Sequence, residues 1–294
     1  MLYQNSLDSY ESKKKTAVTL GKFDGLHLGH QALLEKVKSY RSKDVDAVLF
    51  TFDMQKTTIQ TQREQQQFLR DEIDIFIHSP FTPALRLMEA EAFIKEILHK
   101  RLQAAYIVVG EDFRFGHDKR GDIHMLDKFA QAYSYHIDVI EKVKHQGRII
   151  SSTYIREMLK SGELALANQL MGHVYEINGI VEKGKKLGRT LVFPTINVAP
   201  PTAQLTPKAG VYSVQVEIEE KTYQGICNLG IKPTVTDVAK LLAEVHVFDF
   251  ENDVYGKTVK IKFLDFIRGE KKFNSLAELK AQVDQDIELV GKPS

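Results

Sequence analysis

The sequence predicts two domains in succession: an α/β domain with a doubly wound parallel sheet, then a mainly β domain built as an antiparallel barrel with a C-terminal helix. In residues 16–150, short apolar runs alternate with stretches whose apolar residues recur three and four positions apart, a pattern typical of strands alternating with helices. From residue 172 onward, apolar and polar residues alternate singly, as in strands with one buried face. A chain of 294 residues exceeds the usual size of one domain, so we expect domains at 1–171 and 172–294.

The first domain is predicted from a series of apolar runs separated by amphipathic stretches. The predicted strands are AVTL, VDAVLFTF, IDIFIHS, AAYIVVG and YHIDVIEKV. The predicted helices between them are HQALLEKVKSYR, EAFIKEILHKRL and IHMLDKFAQAY, because their apolar residues share one face. The glutamine-rich stretch QTQREQQQ, residues 60–67, is predicted to be a polar helix face or a loop.

The second domain is predicted from runs that alternate apolar and polar residues: YEINGIV, GVYSVQVEI, YQGICNLG, AEVHVFDF and TVKIKFLDFI. Glycine, proline or charged turns separate them, as in an antiparallel barrel or sandwich. Residues 275–290 are predicted to be a helix capped by Ser275. The connecting stretch SSTYIREMLKSGELALANQLMG predicts one or two helices that end at Gly172.

Composition excludes several classes of partner. Lysine plus arginine (40) nearly balances aspartate plus glutamate (39), so no overall field favours nucleic acid or an anionic membrane. The single cysteine, Cys227, excludes an intrachain disulfide. The amino-terminal stretch lacks the apolar core of a signal peptide, and no run approaches the ~18 apolar residues of a membrane span. We expect a cytoplasmic protein with small-molecule partners, and the sequence leaves its oligomeric state open.

The stretch GKFDGLHLGH, residues 21–30, directly follows the first predicted strand. Strand, glycine turn and helix in succession present backbone amides and the positive end of a helix dipole to a phosphate. Gly21 and Gly25 permit the turn. The sequence therefore indicates an anion-binding site here.

His27 and His30 lie three positions apart, so their imidazoles face the same way on a helix. Gly29 between them lets a bulky ligand approach the backbone. A helix N-terminus disfavours the imidazolium, but a bound triphosphate supplies counter-charge. The alternatives are a surface histidine beside a helix cap, or zinc, for which no nearby cysteine or third histidine completes a ligand set.

Two further segments are candidates for binding a ligand. VVGEDFRFG (108–116) runs from the end of a predicted strand into a loop, and ISSTYIR (150–156) carries hydroxyl groups and an arginine that suit phosphate. The hydroxyls of the second segment precede a predicted helix, and Arg156 offers a planar cation suited to phosphate oxygens. The alternative interpretation is an ordinary helix cap.

GKFDGLHLGH resembles the signature of the HxGH nucleotidyltransferases. With VVGEDFRFG and ISSTYIR in the same order, the chain resembles bacterial bifunctional riboflavin kinase/FAD synthetases. The resemblance implies catalytic roles at the ATP phosphates for His27, His30 and Arg156. It further implies nucleotide or flavin binding by Gly21, Phe23, Asp24, Gly25, Asp112, Phe113, Arg114, Ser152 and Thr153.

The stretch GKKLGRTLVFPTIN, residues 184–197, combines glycines, cations and a proline, a composition suited to a flap that closes over phosphates. On an extended segment, Thr195 and Asn197 point to one side. Both offer neutral oxygens, which suit Mg²⁺ when ATP balances its charge. The alternative is a turn, where these residue types are common.

AEVHVFDF, residues 243–250, places Glu244 on the face opposite Val245. A glutamate aimed at a primary alcohol can accept its proton during attack on a phosphate. The alternative is a solvated strand residue.

The second half resembles the riboflavin kinase module of the same family, through GIVEKGKKLGRTLVFPTIN, YQGICNLGIKPT, AEVHVFDF and VYGKTVKIKFLDFIRGEKKF. The resemblance implies that Glu244 is the general base and that Thr195 and Asn197 assist Mg²⁺. It places Gly184 and Gly188 in the nucleotide flap and Arg268 at the flavin pocket.

The resemblance therefore implies phosphorylation of riboflavin to FMN by the barrel and adenylylation of FMN to FAD by the first domain, both from ATP. Three departures from the family pattern are TFDMQK (51–56) for TFDPHP, Val192 for a glycine and Ile196 for an alanine. They motivate a second hypothesis: a degenerate paralogue that binds flavin or nucleotide with one or both activities lost. Two more hypotheses stay open, namely an adenylyltransferase for pantetheine phosphate or nicotinamide mononucleotide, and a structural interaction protein.

Overall fold

The computed structural model describes residues 1–8, 10–53, 57–182, 194–233 and 239–291. Compact packing divides the chain into two units. The first unit comprises Met1–Thr58 and Gln62–Ser152, and the second comprises Ile59–Thr61 and Thr153–Ser294. The second unit therefore includes the helices that precede the barrel. The assignment of one function to residues 1–171 and another to residues 172–294 stays a prediction.

The first unit is built on a parallel sheet, as predicted. Its strands are β1 (Leu2–Gln4), β2 (Lys15–Gly21), β3 (Val45–Asp53), β4 (Ile75–Pro80), β5 (Ala104–Gly110) and β6 (His136–Ile140). They lie in the order β1-β4-β3-β2-β5-β6, and each neighbouring pair is parallel. From β2 the chain continues to β3 and β4 on one side of the sheet, whereas β5 and β6 lie on the other side. The loops that follow β2 and β5 therefore lead away from each other. A crevice at such a reversal of strand order, outside the carboxyl ends of the strands, is where open α/β sheets bind ligands.

The central strands are apolar on both faces, which is why they appear as continuous apolar runs in the sequence. Neighbouring residues of β3 belong to separate core clusters on opposite faces: Val48 and Phe50 to one, Ala47 and Leu49 to the other. All four are fully buried. Burial on both faces stabilises the strand that lies beside β2.

Helices cover both faces of the sheet. They are α1 (Leu28–Ser39), α2 (Gln62–Leu69), α3 (Pro83–Arg86), α4 (Ala90–Ala92), a π-helical continuation at Phe93–Arg101, and α5 (Ile123–Tyr133). The glutamine-rich stretch forms α2, which buries Glu64 and Gln65 beside Leu69. A short hairpin, β7 (Lys144–His145) with β8 (Arg148–Ile149), ends the unit's elements.

The second unit begins with α6 (Ser152–Ser161, whose first residue belongs to the first unit) and α7 (Leu164–Met171). Its strands are β9 (Tyr175–Glu182), β10 (Thr195–Val198), β11 (Gly210–Ile218), β12 (Lys221–Pro233), β13 (Ala239–Val247) and β14 (Thr258–Arg268). They close an antiparallel barrel in the order β10-β13-β12-β11-β14-β9. This confirms the predicted fold class, and the end of the predicted flap segment becomes the closing strand β10.

The helix α8 (Leu276–Val290) follows the barrel, as predicted. Its cap is Ser275, whose Oγ accepts a hydrogen bond from the Glu278 amide at 3.2 Å. In the chain as described, no helix combines the length and apolar character needed to cross a membrane.

A buried ion pair attaches α8 to the barrel. The Arg268 guanidinium at the end of β14 donates from Nε and Nη2 to the Asp286 carboxylate, at 2.9 and 2.7 Å. The Asp286 side chain is 1% exposed and that of Arg268 is 15% exposed. Ile287 packs beside it against Ile226 and Phe248. The structure thus shows Arg268 as a helix anchor, and its contact with flavin stays a prediction.

Asp286→Ala removes one partner of this pair and leaves a guanidinium buried without its counter-charge, which costs about 3–5 kcal/mol. We expect faster hydrogen exchange across α8 and a lower unfolding midpoint of the second unit. The control is Lys257→Ala, which breaks the exposed pair with Glu219 and should have little effect because exposed pairs contribute little. Equal effects of the two substitutions would contradict the anchoring role.

Candidate active sites

The loop between β2 and α1 has a strained backbone. Phe23, Gly25 and Leu26 have φ angles of 47°, 84° and 38°, in the left-handed region that favours glycine. Phe23 and Leu26 are 2% and 0% exposed, so burial of their side chains offsets a cost of about 1–3 kcal/mol per strained residue. Such strain is typical of functional loops held by their surroundings.

Side chains from elsewhere in the unit bind the carbonyl groups of this loop. Gln65 Nε2 donates to the carbonyl of Phe23 at 3.4 Å, and Ser152 Oγ donates to that of Asp24 at 2.8 Å. Gln31 Nε2 donates to the carbonyl of Leu26 at 2.8 Å. Carbonyl oxygens repel phosphate, and these bonds occupy them within the protein. These bonds are compatible with the anion site that the sequence predicts at the N-terminus of α1, and that site stays a prediction.

His27 is the N-cap of α1. Its Nδ1 accepts a hydrogen bond from the backbone amide of His30 at 3.3 Å, and its carbonyl accepts from the amides of His30 and Gln31 at 2.7 and 2.9 Å. Because Nδ1 is an acceptor, the proton of the neutral ring lies on Nε2. The fold therefore selects the tautomer that donates from the far side of the ring.

The two imidazoles stack, which confirms the prediction that they face the same way. The rings of His27 and His30 lie 3.5 Å apart between centroids at 17°, and His30 stacks on Phe23 at 4.6 Å. A Cβ at Gly29 would lie 3.2 Å from Cε1 and Nδ1 of His27. The glycine thus makes room for the His27 ring itself, where the sequence suggested room for a ligand.

Burial lowers the pKa of His30 well below its usual range, and the neighbouring His27 lowers that pKa further. Nδ1 of His30 is buried and has no hydrogen-bond partner among the described residues. The His30 imidazole is therefore neutral at neutral pH. A neutral ring can donate to phosphate, and phosphate would in turn stabilise its charged form.

The neutral state of His30 is measurable by NMR titration of labelled histidine. The folded chain holds the pKa below the unfolded value of about 6.5, so the unfolded state binds more protons as the pH falls. The stability that neutral His30 contributes is complete above about pH 6.5 and is lost as the pH falls through the lowered pKa. We expect His30 to titrate below free histidine, and bound ATP to raise its pKa. Titration at or above the free value would contradict this.

The loop after β5 carries the next predicted residues. Asp112 accepts from Lys142 Nζ at 2.7 Å, and Phe113 stacks on Phe115 with centroids 5.5 Å apart. Arg114 pairs with Asp122 at 2.8 Å. The amide of Met125 lowers the pKa of the Asp122 carboxyl, and Arg114 lowers it further. Asp112 and Arg114 therefore both have protein partners, and their binding roles stay predictions.

The third predicted segment crosses the boundary between the units along the chain. Ser152 is the first residue of α6, and its hydroxyl donates to the β2–α1 loop instead of capping the helix. Thr153 and Arg156 lie in the second unit. Their part in phosphate binding stays a prediction.

In the second unit, strand register brings together residues that are far apart in sequence. Asn197 of β10 lies directly opposite Glu244 of β13 and opposite Glu182 of β9. On the other side, Glu244 lies opposite Asn228 of β12. Opposite residues point to the same face with Cβ atoms about 4.5–5.5 Å apart. We call Glu182, Asn197, Glu244 and Asn228 the polar row.

The polar row lies on the outer face of the barrel. Ala243, Val245 and Val247 of β13 are buried, and Glu244 alternates with them, as predicted. Sequence reasoning missed Glu182 and Asn228, because only strand pairing shows that they adjoin Asn197 and Glu244. Lys240 donates to the Glu182 carboxylate at 2.6 and 2.8 Å, which neutralises one charge of the row.

Thr195 and Asn197 fit the chemistry of a magnesium site. Thr195 lies opposite His246, whose Nδ1 donates to the carbonyl of Pro194 at 3.0 Å. Thr195, with its hydroxyl oxygen, and Asn197, with its amide oxygen, lie on the same face of the barrel wall as Glu244. Oxygen ligands of this kind are those that Mg²⁺ prefers. Within the described ranges, no cluster of three or more histidine, cysteine or acidic residues offers a metal site.

Some predicted residues lie outside the described part of the chain. These are Gly184 and Gly188 of the flap, Val192, and residues 54–56 of TFDMQK.

The fold and the two sites define a class of ATP-dependent transferase, with a nucleotidyltransferase-type α/β domain and a kinase-type barrel. A family model described as FAD synthetase matches residues 9–154, and one described as riboflavin kinase matches residues 171–292. The chain belongs to the family of bifunctional riboflavin kinase/FMN adenylyltransferases.

Relatives match over almost the whole chain. The enzyme of this description from Escherichia coli (strain K12) is 36% identical over 92% of this chain and 90% of its own. That from Bacillus subtilis (strain 168) is 32% identical over 94% and 92%. A crystal structure titled macrolide-efflux protein from Streptococcus pneumoniae is 28% identical, covers 100% of this chain and 99% of its own, and has a TM-score of 0.89. The two-domain fold is thus shared over the full length.

Proposed function

We propose that the barrel transfers the terminal phosphate of ATP to riboflavin, giving FMN and ADP. The first unit then transfers AMP from a second ATP to FMN, giving FAD and pyrophosphate. The observation that carries the proposal is one site of suitable chemistry in each unit: the stacked His27 and His30 at a helix N-terminus, and Glu244 beside Asn197 on the barrel. A cytoplasmic location, where ATP is plentiful, is part of the proposal.

In adenylyl transfer, a phosphate oxygen of FMN attacks the α-phosphorus of ATP, and the bond to pyrophosphate breaks. Negative charge grows on the leaving group, and preorganised donors stabilise it. His27 donates from Nε2, and His30 lies stacked beside it. Ser152, in the same unit, supports this site through its hydrogen bond to the Asp24 carbonyl. Asp112, Phe113 and Arg114 border the nucleotide or the flavin.

In phosphoryl transfer, the primary hydroxyl of riboflavin attacks the terminal phosphorus of ATP, and the bond to ADP breaks. An alcohol is a weak nucleophile until a base accepts its proton. Glu244 takes that proton on a carboxylate oxygen. Asn197, directly opposite on β10, holds the neighbouring position on the same face.

Thr195 and Asn197 would hold Mg²⁺ together with the phosphates of ATP. When bound, the ion neutralises charge on the phosphate oxygens and orients the terminal phosphate. Gly184 and Gly188 complete the nucleotide flap in this proposal, and Arg268 supports the flavin pocket through its hold on α8.

The hypothesis of a degenerate paralogue finds no support in the described residues. The histidine stack and the Glu244–Asn197 pairing are intact. Ile196, one of the departures from the family pattern, pairs with Val245 within the barrel wall. Incubation with riboflavin, ATP and Mg²⁺ tests the proposal directly, since chromatography should detect FMN and then FAD. Binding without turnover would support the paralogue.

Glu244→Gln keeps the size and hydrogen bonding of the side chain but removes the base. We expect riboflavin phosphorylation to fall about 10²–10⁴-fold, while adenylylation of supplied FMN is unchanged. The control is Glu219→Gln, an exposed glutamate that pairs with Lys257 and should leave both activities intact. Undiminished kinase turnover in Glu244→Gln would exclude Glu244 as the base.

Gly29→Ala and His30→Ala both damage the histidine stack. The added methyl of Gly29→Ala lies 3.2 Å from Cε1 and Nδ1 of His27 and shifts that ring by a few tenths of an ångström, which moves a proposed donor from the position that the reaction requires. We expect both variants to suppress FAD formation from FMN and to keep riboflavin phosphorylation. Gly269→Ala is the control, because its Cβ meets open space. Equal loss of both activities in a folded variant would contradict separate sites.

A further inference from the structure

The outer face of β12 beside Glu244 is flanked at both ends, and we call the stretch between these ends the recess. Ile226 at one end is covered by α8 through Phe248 and Ile287. Gly230 at the other end lies under the carboxylate of Glu270, which occupies the place that a Cβ at this position would need. Asn228 lies between them on the same face, because side chains two apart on a strand point the same way. The recess thus has Asn228 at its centre.

Asn228 has a charged residue opposite it on one neighbouring strand and an apolar residue opposite it on the other. On β13 it lies opposite Glu244, and on β11 it lies opposite Val211. Val211 is apolar and 5% exposed, so it offers the amide no hydrogen bond from its side chain. Oδ1 of Asn228 is buried and has no hydrogen-bond partner in the part of the chain that the structure describes. A buried acceptor without a partner destabilises the protein unless a water molecule or a ligand supplies the donor.

The missing donor has a definite chemistry. An amide oxygen accepts hydrogen bonds and carries no charge, so a neutral hydroxyl is a suitable donor for it. In the proposed kinase reaction, which this inference rests on, Glu244 accepts the proton of the terminal hydroxyl of the ribityl chain. Asn197, on one side of Glu244, is assigned to Mg²⁺ in that proposal, so Asn228 on the other side is the neighbour left to meet the adjoining part of the chain, which carries secondary hydroxyls.

We propose that Asn228 is a substrate-binding residue for the polyol chain, accepting a hydrogen bond on Oδ1 from a secondary hydroxyl while Glu244 acts on the primary one. Asn228 thereby selects a flavin with a polyhydroxylated side chain over one with a plain alkyl alcohol. A site built to bind a hydroxyl rejects the analogue that lacks it, because the site's buried polar group is then left without a partner.

The test compares two substrates in two proteins. The substrates are riboflavin and a flavin with a 5-hydroxypentyl chain, which keeps the primary hydroxyl and lacks the secondary ones. The proteins are the full chain and Asn228→Leu, with kcat/KM measured for phosphorylation of each flavin. Asn178→Leu is the matched control, since Asn178 lies on β9 and donates to Glu176, away from the recess.

We expect the unaltered chain and Asn178→Leu to prefer riboflavin. In Asn228→Leu, kcat/KM for riboflavin should fall about 10- to 100-fold, while that for the hydroxypentyl flavin is nearly unchanged. Asn228→Asp, which keeps an acceptor oxygen, should retain the preference. Equal loss with both substrates would mark Asn228 as merely structural, and an unchanged preference would overturn the proposal.

A binding measurement separates this inference from the proposed reaction. Flavin fluorescence reports the Kd of each flavin for each protein without turnover. If the chain fails to phosphorylate riboflavin but binds it through Asn228 in preference to the hydroxypentyl flavin, the reaction is wrong and the inference stands. If Asn228→Leu binds both flavins as the unaltered chain does, the inference fails even where the reaction holds.

Discussion

Hydrogen bonding between neighbouring strand backbones is the constraint on which both sites depend. In the sheet, pairing of β2 with both β3 and β5 creates the reversal of strand order beside the histidine loop. In the barrel, pairing of β13 with β10 and β12 places Glu244 between Asn197 and Asn228. Because side chains alternate along a strand, a slip of one residue would turn Glu244 into the barrel interior. The buried valines of β13 oppose that slip.

Burial fixes the state of the histidine loop, the phosphate site of our proposal, before any ligand arrives. Desolvation lowers the pKa of His30, so the His30 imidazole adds no positive charge to the helix N-terminus in the free protein. Stacking on Phe23 and the hydrogen bond to His27 Nδ1 fix the two rings. Fixed donors need no reorganisation when charge develops on the leaving group. The strain in the loop backbone is the cost of that arrangement.

Local features of the sites could be predicted from the sequence, and long-range pairings could not. Helical spacing is a local property, so it predicts that His27 and His30 face the same way. Strand alternation is also local and predicts that Glu244 opposes Val245. Which strand lies beside β13 depends on the whole barrel, so the adjacency of Glu244 to Asn228 was not predictable. The same holds for the pair of Arg268 with Asp286, which joins two elements.

The glutamine-rich α2 lacks an apolar stripe, so the sequence does not distinguish a helix from a loop at this position.

The different chemistry of the two sites follows from the two nucleophiles in the proposed reactions. The phosphate of FMN is a monoester whose second pKa is about 6, so it is already ionised at neutral pH and needs no base. Its site must instead reduce repulsion between two phosphates, and in the proposed reaction imidazole N–H groups and backbone amides supply the hydrogen-bond donors for this. The hydroxyl of riboflavin carries its proton at neutral pH, so a carboxylate must lie next to it. One unit therefore offers hydrogen-bond donors and the other a base, because each nucleophile reaches its site in a different protonation state.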